Sequence, residues 1–183
     1  MRRRQPQSLP RIVPSLWLFT DDRVRDDALM DAVGRLPRGA GVVFRHYGLP
    51  AAERRTLFAM VARLARRRGL MLVLAGGNIT GRGASGRHNP ARRWHGSGLA
   101  TYAAHNAREI SQANRRGADL IFLSPVFPTR SHPGAPTLGA IRFAVLARLG
   151  RCPVIALGGM NAARFRRLHP LGANGWAGID AFT

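Results

Sequence analysis

The chain has 183 residues, 45% apolar and 7% aromatic, which suits one globular domain with a sizeable core and excludes a wholly disordered chain. Its formal net charge is +20, from 29 basic against 9 acidic residues, and every basic residue is arginine. The absence of lysine excludes a Schiff-base lysine, a phosphate-loop lysine and a lysine general base, while the positive surplus favours phosphates or other anions as ligands.

Met1-Arg2-Arg3-Arg4 has the basic start of a signal peptide, but polar Gln5-Pro6-Gln7-Ser8 follows where an apolar run belongs. Residues 1–12 are therefore expected to form a loose basic tail of a single domain spanning 1–183. Ser15–Thr20 (SLWLFT) is a short apolar strand, and Asp26–Leu36 follows with helical spacing. Gly41–Arg45 (GVVFR) is the second strand. Ala51–Arg68 is a long helix, with Leu57, Met60, Val61, Leu64 and Ala65 at i, i+3, i+4, i+7 spacing. Leu70–Ala75 (LMLVLA) is the third strand.

The pattern then breaks. Gly76–Arg93 is rich in Gly, Arg, Ser and Asn without an apolar period, so a third helix is not expected there, and Trp94-His95 is the expected remnant of a fourth strand. Leu99–Ala104 is a strand, and Ala107–Arg116 a helix ending at Gly117. Leu120–Ser124 is a strand, Pro125–Leu138 a polar loop and Ala140–Leu149 a helix. The single cysteine, Cys152, precedes Pro153 at the start of a buried strand; it is read as packing and excludes a disulfide framework. Pro153–Leu157 is that strand, Ala162–Leu168 a helix, and Gly175–Ile179 the last strand.

Strands apolar on both faces, alternating with helices, indicate a parallel sheet. Seven clear strands and one weak one favour a closed (β/α)8 barrel, a TIM barrel, over an open sheet. It is shortened relative to the ~250 residues typical of the class, with degenerate third and fourth βα units and no final helix. An uncovered last strand is expected to favour self-association.

Catalytic groups of this architecture lie at the C-terminal ends of strands, with phosphate commonly held after strands seven and eight. Three segments fit. Ile155–Asn161 (IALGGMN) is a strand whose two glycines open a helix; glycines allow close approach of an anion and the helix start offers N–H groups, although tight packing explains such a join as well. Gly172–Asp180 (GANGWAGID) brings a second glycine-punctuated strand end. Ser124–His132 (SPVFPTRSH) supplies hydroxyls, an arginine and a histidine.

The run GADLIFLSPVFPTRSHPGAPTLG, then PVIALGGM, then GANGWAGIDAF, resembles the C-terminal half of the thiamine phosphate synthase/TenI family. Weaker likeness runs through Trp17–Asp21, Val43–Arg45 and Tyr102–Glu109. In that family the synthase couples an aminopyrimidine pyrophosphate to a thiazole phosphate, with Mg²⁺ assisting departure of pyrophosphate. The resemblance implies that Gly158, Gly159 and the backbone of Ile179 and Asp180 cradle the thiazole phosphate, with Thr129, Arg130 and Ser131 from the preceding loop. Asp180 stands where the family has Ser, so its carboxylate is expected to turn away from the anion.

The pyrimidine half departs from the family. Arg45 keeps the arginine of strand two, but its lysine partner is Tyr47. The family's Asn-Asp pair after strand three falls at Ala75-Gly76, the second Mg²⁺ aspartate has no counterpart near His95–Gly98, the strand-five serine is Ala103 and the loop lysine is His132. Between Met60 and Met160 the only carboxylates are Glu109 and Asp119, so no metal ligand is expected and Mg²⁺ only if the synthase reaction holds. Zinc finds no cluster of ligands. The pattern is similar to TenI-type members, some of which act as thiazole tautomerases by proton transfer. His105 matches the strand-five histidine of that branch and is the candidate catalytic acid/base, against a competing role as a helix cap.

The expected function is thus a thiamine-pathway barrel that binds a thiazole phosphate and performs metal-free proton transfer if catalytic. A thiamine phosphate synthase and a non-catalytic phosphate-binding or regulatory protein are the alternatives. His46 is placed at the mouth of the barrel, and His88, His95 and His169 at the surface. No stretch approaches the ~18 apolar residues of a membrane helix, so no membrane partner is expected. The arginine runs lack interleaved aromatics, so nucleic acid is not expected either. The cysteine usage implies the cytoplasm.

Overall fold

The apolar bursts of the sequence become eight short strands in the computed structural model, which describes residues 13–77, 79–130, 134–179 and 181–182. They are Leu16–Phe19 (β1), Gly41–Phe44 (β2), Met71–Ala75 (β3), Gly86–His88 (β4), Leu99–Ala104 (β5), Leu120–Leu123 (β6), Val154–Leu157 (β7) and Gly175–Gly178 (β8). Each pairs in parallel with the next, and β8 pairs with β1, so the sheet closes. The helices are Asp26–Arg35 (α1), Ala51–Arg68 (α2), Ala107–Arg115 (α3), Gly139–Ala147 (α4) and Ala162–Leu168 (α5), with a 3-10 turn at His169–Leu171. This is a (β/α)8 barrel, and among the described residues no helix lies between β3 and β5, as the loss of apolar period predicts. Two expectations for that segment need correction. The fourth strand is Gly86–His88, not Trp94-His95. And His88, expected at the surface, is 4% exposed and points into the barrel.

Alternate residues of the strands face the barrel axis. Trp17, Phe19, Val43, Val73, Ala75, Leu99, Leu120, Phe122, Ile155 and Ala177 form this inner core. Gly41 is small for a reason: a Cβ there would run into the Trp17 indole, which is fully buried and donates its N–H to the Pro14 carbonyl at 2.7 Å. The residues between them face outward and pack under the helices in two further clusters, one beneath α1 and α2, the other beneath α3 to α5. On the outer side of β8, Trp176 stacks on Phe182 with ring centroids 5.2 Å apart. No helix of the described residues is long and apolar enough to cross a membrane.

Candidate active site

The C-terminal ends of the strands surround a cleft of about 740 Å³. Its lining includes Arg45, His105, Thr129, Arg130, Gly158, Gly159 and Ile179, so every sequence-predicted site residue within the described set converges there. Ser131, His132 and Asp180 lie outside the described residues. Residues not assigned to the site from the sequence also line it: Phe19, His88, Asn89 and Arg164 among them.

The β7 turn is shaped by what presses on it. Gly158 has φ 93° and Gly159 φ 59°, both in the left-handed region. A Cβ on Gly158 would come within 2.8 Å of Pro125 Cα, and one on Gly159 would strike the Pro128 carbonyl. The β6 loop lies on this turn and bonds to it: Val126 N–H donates to Leu157 O at 2.9 Å and Phe127 N–H to Gly158 O at 3.1 Å. Tight packing therefore accounts for both glycines, and it also turns the carbonyls toward the loop. Among the described residues, the amides of Gly159, Met160 and Ile179 find no backbone acceptor. Such amides are suited to an anion. Asn161 caps α5 by accepting from Arg164 N at 2.8 Å, and the Arg164 guanidinium folds back over the Phe127 ring to donate to the Gly159 carbonyl.

At the β5–β6 side, His105 does not cap α3. Asn106 does, with its Oδ1 accepting from Glu109 N at 3.0 Å, while Glu109 Oε2 accepts from the His105 amide at 2.7 Å. The His105 ring instead meets the Ser124 carbonyl at 2.7 Å through Nδ1. A carbonyl can only accept, so Nδ1 carries a proton, and the tautomer this selects has its lone pair on Nε2.

Arg45 reaches the cleft already engaged. Its Nε donates to Thr20 O at 2.8 Å, its Nη2 pairs with Asp21 Oδ2 at 2.9 Å, and the guanidinium lies over Phe19. Burial alone would raise the Asp21 carboxyl, but hydrogen bonds from Arg23 and the charges of Arg23 and Arg45 hold it below its ordinary value. His46 departs from its expected place at the mouth. It is 2% exposed, stacks on Phe44 and does not line the cleft. Thr20 Oγ1 accepts the Arg45 amide at 2.9 Å and is hydrogen-bonded with His46 Nδ1 at 2.8 Å.

Arg54, missed in the sequence, is fully buried on α2. It donates to the Arg45 carbonyl at 3.0 and 2.6 Å and to the Ala75 carbonyl at 2.5 Å, tying α2 to the ends of β2 and β3.

The family model for thiamine monophosphate synthase matches residues 84–182, more than half of the chain. This chain belongs to the thiamine monophosphate synthase family. The family match takes in β4 to β8, and with them the glycine turn, the β6 loop and His105. A putative thiamine-phosphate synthase 2 of Aquifex aeolicus is 36% identical over 84 residues, 46% of this chain and 45% of that protein. The thiamine-phosphate synthase of Chloroflexus aurantiacus is 35% identical over 92 residues, 50% of this chain and 43% of its own. The chain thus matches under half the length of these curated relatives. Among solved structures, thiamine phosphate pyrophosphorylase from Pyrococcus furiosus superposes with a TM-score of 0.77 at 21% identity, covering 91% of this chain and 86% of that one. A geranylgeranylglyceryl phosphate synthase from Thermoplasma acidophilum gives 0.62 at 11%, covering 92% and 86%. At such identities the likeness is one of fold.

The family's Mg²⁺ calls for oxygen ligands, usually with one or two carboxylates. The residues at the matching positions do not fit the ion. Ala75 and Gly76 offer only carbonyls, and arginines occupy both: Arg54 on Ala75 O, and Arg87 on Gly76 O at 3.2 Å. Glu109 is held in the α3 cap, and Asp119 accepts the Ala100 amide at 2.8 Å.

Proposed function

We propose that this protein acts in thiamine phosphate formation, the activity that the names of its curated relatives carry, by joining the aminopyrimidine pyrophosphate and thiazole phosphate that the family resemblance implies. The observation that supports this most is the convergence of the β7 glycine turn, the end of β8 and the Thr129-Arg130 loop on one cleft, inside the segment matched by the family. In this reading the amides of Gly159, Met160 and Ile179 bind the thiazole phosphate, with Thr129 adding a hydroxyl and Arg130 and Arg164 adding positive charge. The family resemblance assigns Ser131, His132 and Asp180 to the same ligand; they lie outside the described residues. Arg45 serves the pyrophosphate across the mouth. Pyrophosphate leaves with the electron pair of the bond it breaks, and guanidinium groups neutralise it in place of a metal.

One observation favours a second reading. The His105 Nδ1–Ser124 carbonyl bond leaves Nε2 free to take a proton at the rim, which suits the tautomerisation of a thiazole carboxylate phosphate. Incubating the protein with the two synthase substrates, with and without EDTA, and in parallel with the thiazole tautomer, separates the readings. Thiamine phosphate formed equally with EDTA supports the first. Aromatisation of the tautomer alone, abolished in His105→Ala, transfers the assignment to the second. Calorimetric binding of thiazole phosphate without turnover on either set leaves a ligand-binding protein.

A further inference from the structure

We infer that His88 is the residue that reads the heterocycle of the ligand, selecting a polar planar ring by a single hydrogen bond at the floor of the cleft. The inference rests on the reading of the cleft as a thiazole phosphate site, and it deepens that reading.

Position comes first. In a closed ring of eight strands, β4 lies directly across from β8. A ligand whose phosphate is anchored at the turn after β7 and the end of β8 therefore extends its other end over the barrel mouth toward β4. His88 is the last residue of β4, and its side chain forms part of the cleft lining. It belongs one layer below the rim, level with Ala75 on β3 and Thr101 on β5.

Apart from the Thr101 hydroxyl, the groups around His88 in that layer are apolar. His88 meets the rings of Phe19 and Phe122 edge-on, at centroid separations of 5.5 and 5.6 Å, and Ala75 is its neighbour on β3. A histidine placed there only for packing would have both ring nitrogens satisfied by the protein or sealed off. Thr101, itself fully buried, engages Nδ1 at 2.9 Å through its hydroxyl. Nε2 makes no hydrogen bond among the described residues, and His88 forms part of the cleft lining. The Thr101 hydroxyl can donate or accept, so the ring can present Nε2 as either acceptor or donor to a heteroatom. Burial, and after it the charge of Arg45, lowers the imidazole to about 3, so the group stays neutral at physiological pH. A neutral ring in an aromatic floor is a poor partner for phosphate and a good one for an uncharged heterocycle.

The test compares thiazole phosphate with ethyl phosphate, which carries the anion without the ring, by calorimetry on the wild type and on His88→Phe, His88→Asn and Thr101→Val. His88→Phe is expected to weaken thiazole phosphate about tenfold and to leave ethyl phosphate within about twofold, since one hydrogen bond is at stake. His88→Asn is expected to recover part of the loss, and Thr101→Val to show a smaller loss for thiazole phosphate only. Unchanged affinity in a folded His88→Phe, or equal loss of both ligands, overturns the inference. If that variant does not fold, nitrogen-15 NMR of the wild type decides: the His88 Nε2 resonance must move on saturation with thiazole phosphate, and a stationary resonance overturns it. A wild type that binds ethyl phosphate but gains nothing from the ring removes the parent reading and this one with it. That outcome appears before any variant is made.

Discussion

At the residue scale, the barrel interior holds a histidine whose burial disfavours its charged form. With its folded pKa near 3 against an ordinary value of 6.5, His88 binds a proton more readily in the unfolded chain than in the native one. Stability is therefore complete above about pH 6.5 and declines as pH falls toward 3, by about 1.4 kcal/mol per pH unit from this group alone. Denaturant unfolding between pH 7 and 4 is expected to show that slope in the wild type and a shallower one in His88→Phe; parallel curves count against it. Asp21 shapes the mouth and responds only to stronger acid. Its carboxyl lies below the ordinary value, so the pairing with Arg45 is present above that value and is lost in acid. Asp21→Asn at pH 7 is expected to free the Arg45 guanidinium and to tighten binding of inorganic pyrophosphate by a few-fold, as an anion no longer competes with a carboxylate. Weaker binding would mean that Asp21 orients Arg45 for its ligand.

At the element scale, a single arginine holds three elements together. Arg54 satisfies the carbonyls at the ends of β2 and β3 from inside α2. Arg54→Met is expected to destabilise the protein by about 3 kcal/mol, since it strands two buried acceptors, and Arg54→Lys to restore little of it. A thermal midpoint within a degree of wild type would refute this role. The sequence carries a signal for this residue that was not read. Positions 54, 57, 58, 61 and 65 share one helical stripe, and Arg54, Leu57, Phe58, Val61 and Ala65 are the buried set of α2. Its charge hid it, because an arginine in an arginine-rich helix reads as a solvated face. The strand boundaries elsewhere followed from apolar runs within about a residue or two. β4 did not, for a physical reason: in three residues it needs only a glycine, where a Cβ would strike the Leu99 backbone, and a buried histidine. Neither supplies an apolar signal, so the strand and its site residue were missed together. The rim residues were legible because glycine turns and polar loops stand out against apolar strands, but the engagement of Arg45 by Asp21 was not, since it depends on the ends of β1 and β2 lying side by side.

At the scale of the whole molecule, a net charge of +20 on 183 residues opposes compaction through self-repulsion. Arg66, Arg67 and Arg68 at the end of α2, like Arg166 and Arg167 on α5, complement the negative ends of their helices, but they also crowd like charges together. Raising sodium chloride from ~0.05 to ~0.5 M shortens the screening length to a few ångströms and is expected to raise the thermal midpoint by several degrees. A midpoint that falls or stays fixed would show that repulsion contributes little to the balance.

The Trp17 indole, seated over Gly41 at the base of the barrel, stoppers the far end. Among the described residues, the cleft therefore opens at the C-terminal ends of the strands. Whatever rests against β4 at depth has to arrive before anything that covers it nearer the entrance, and can leave only after that cover has gone, so order of arrival and departure is written into the shape of the container.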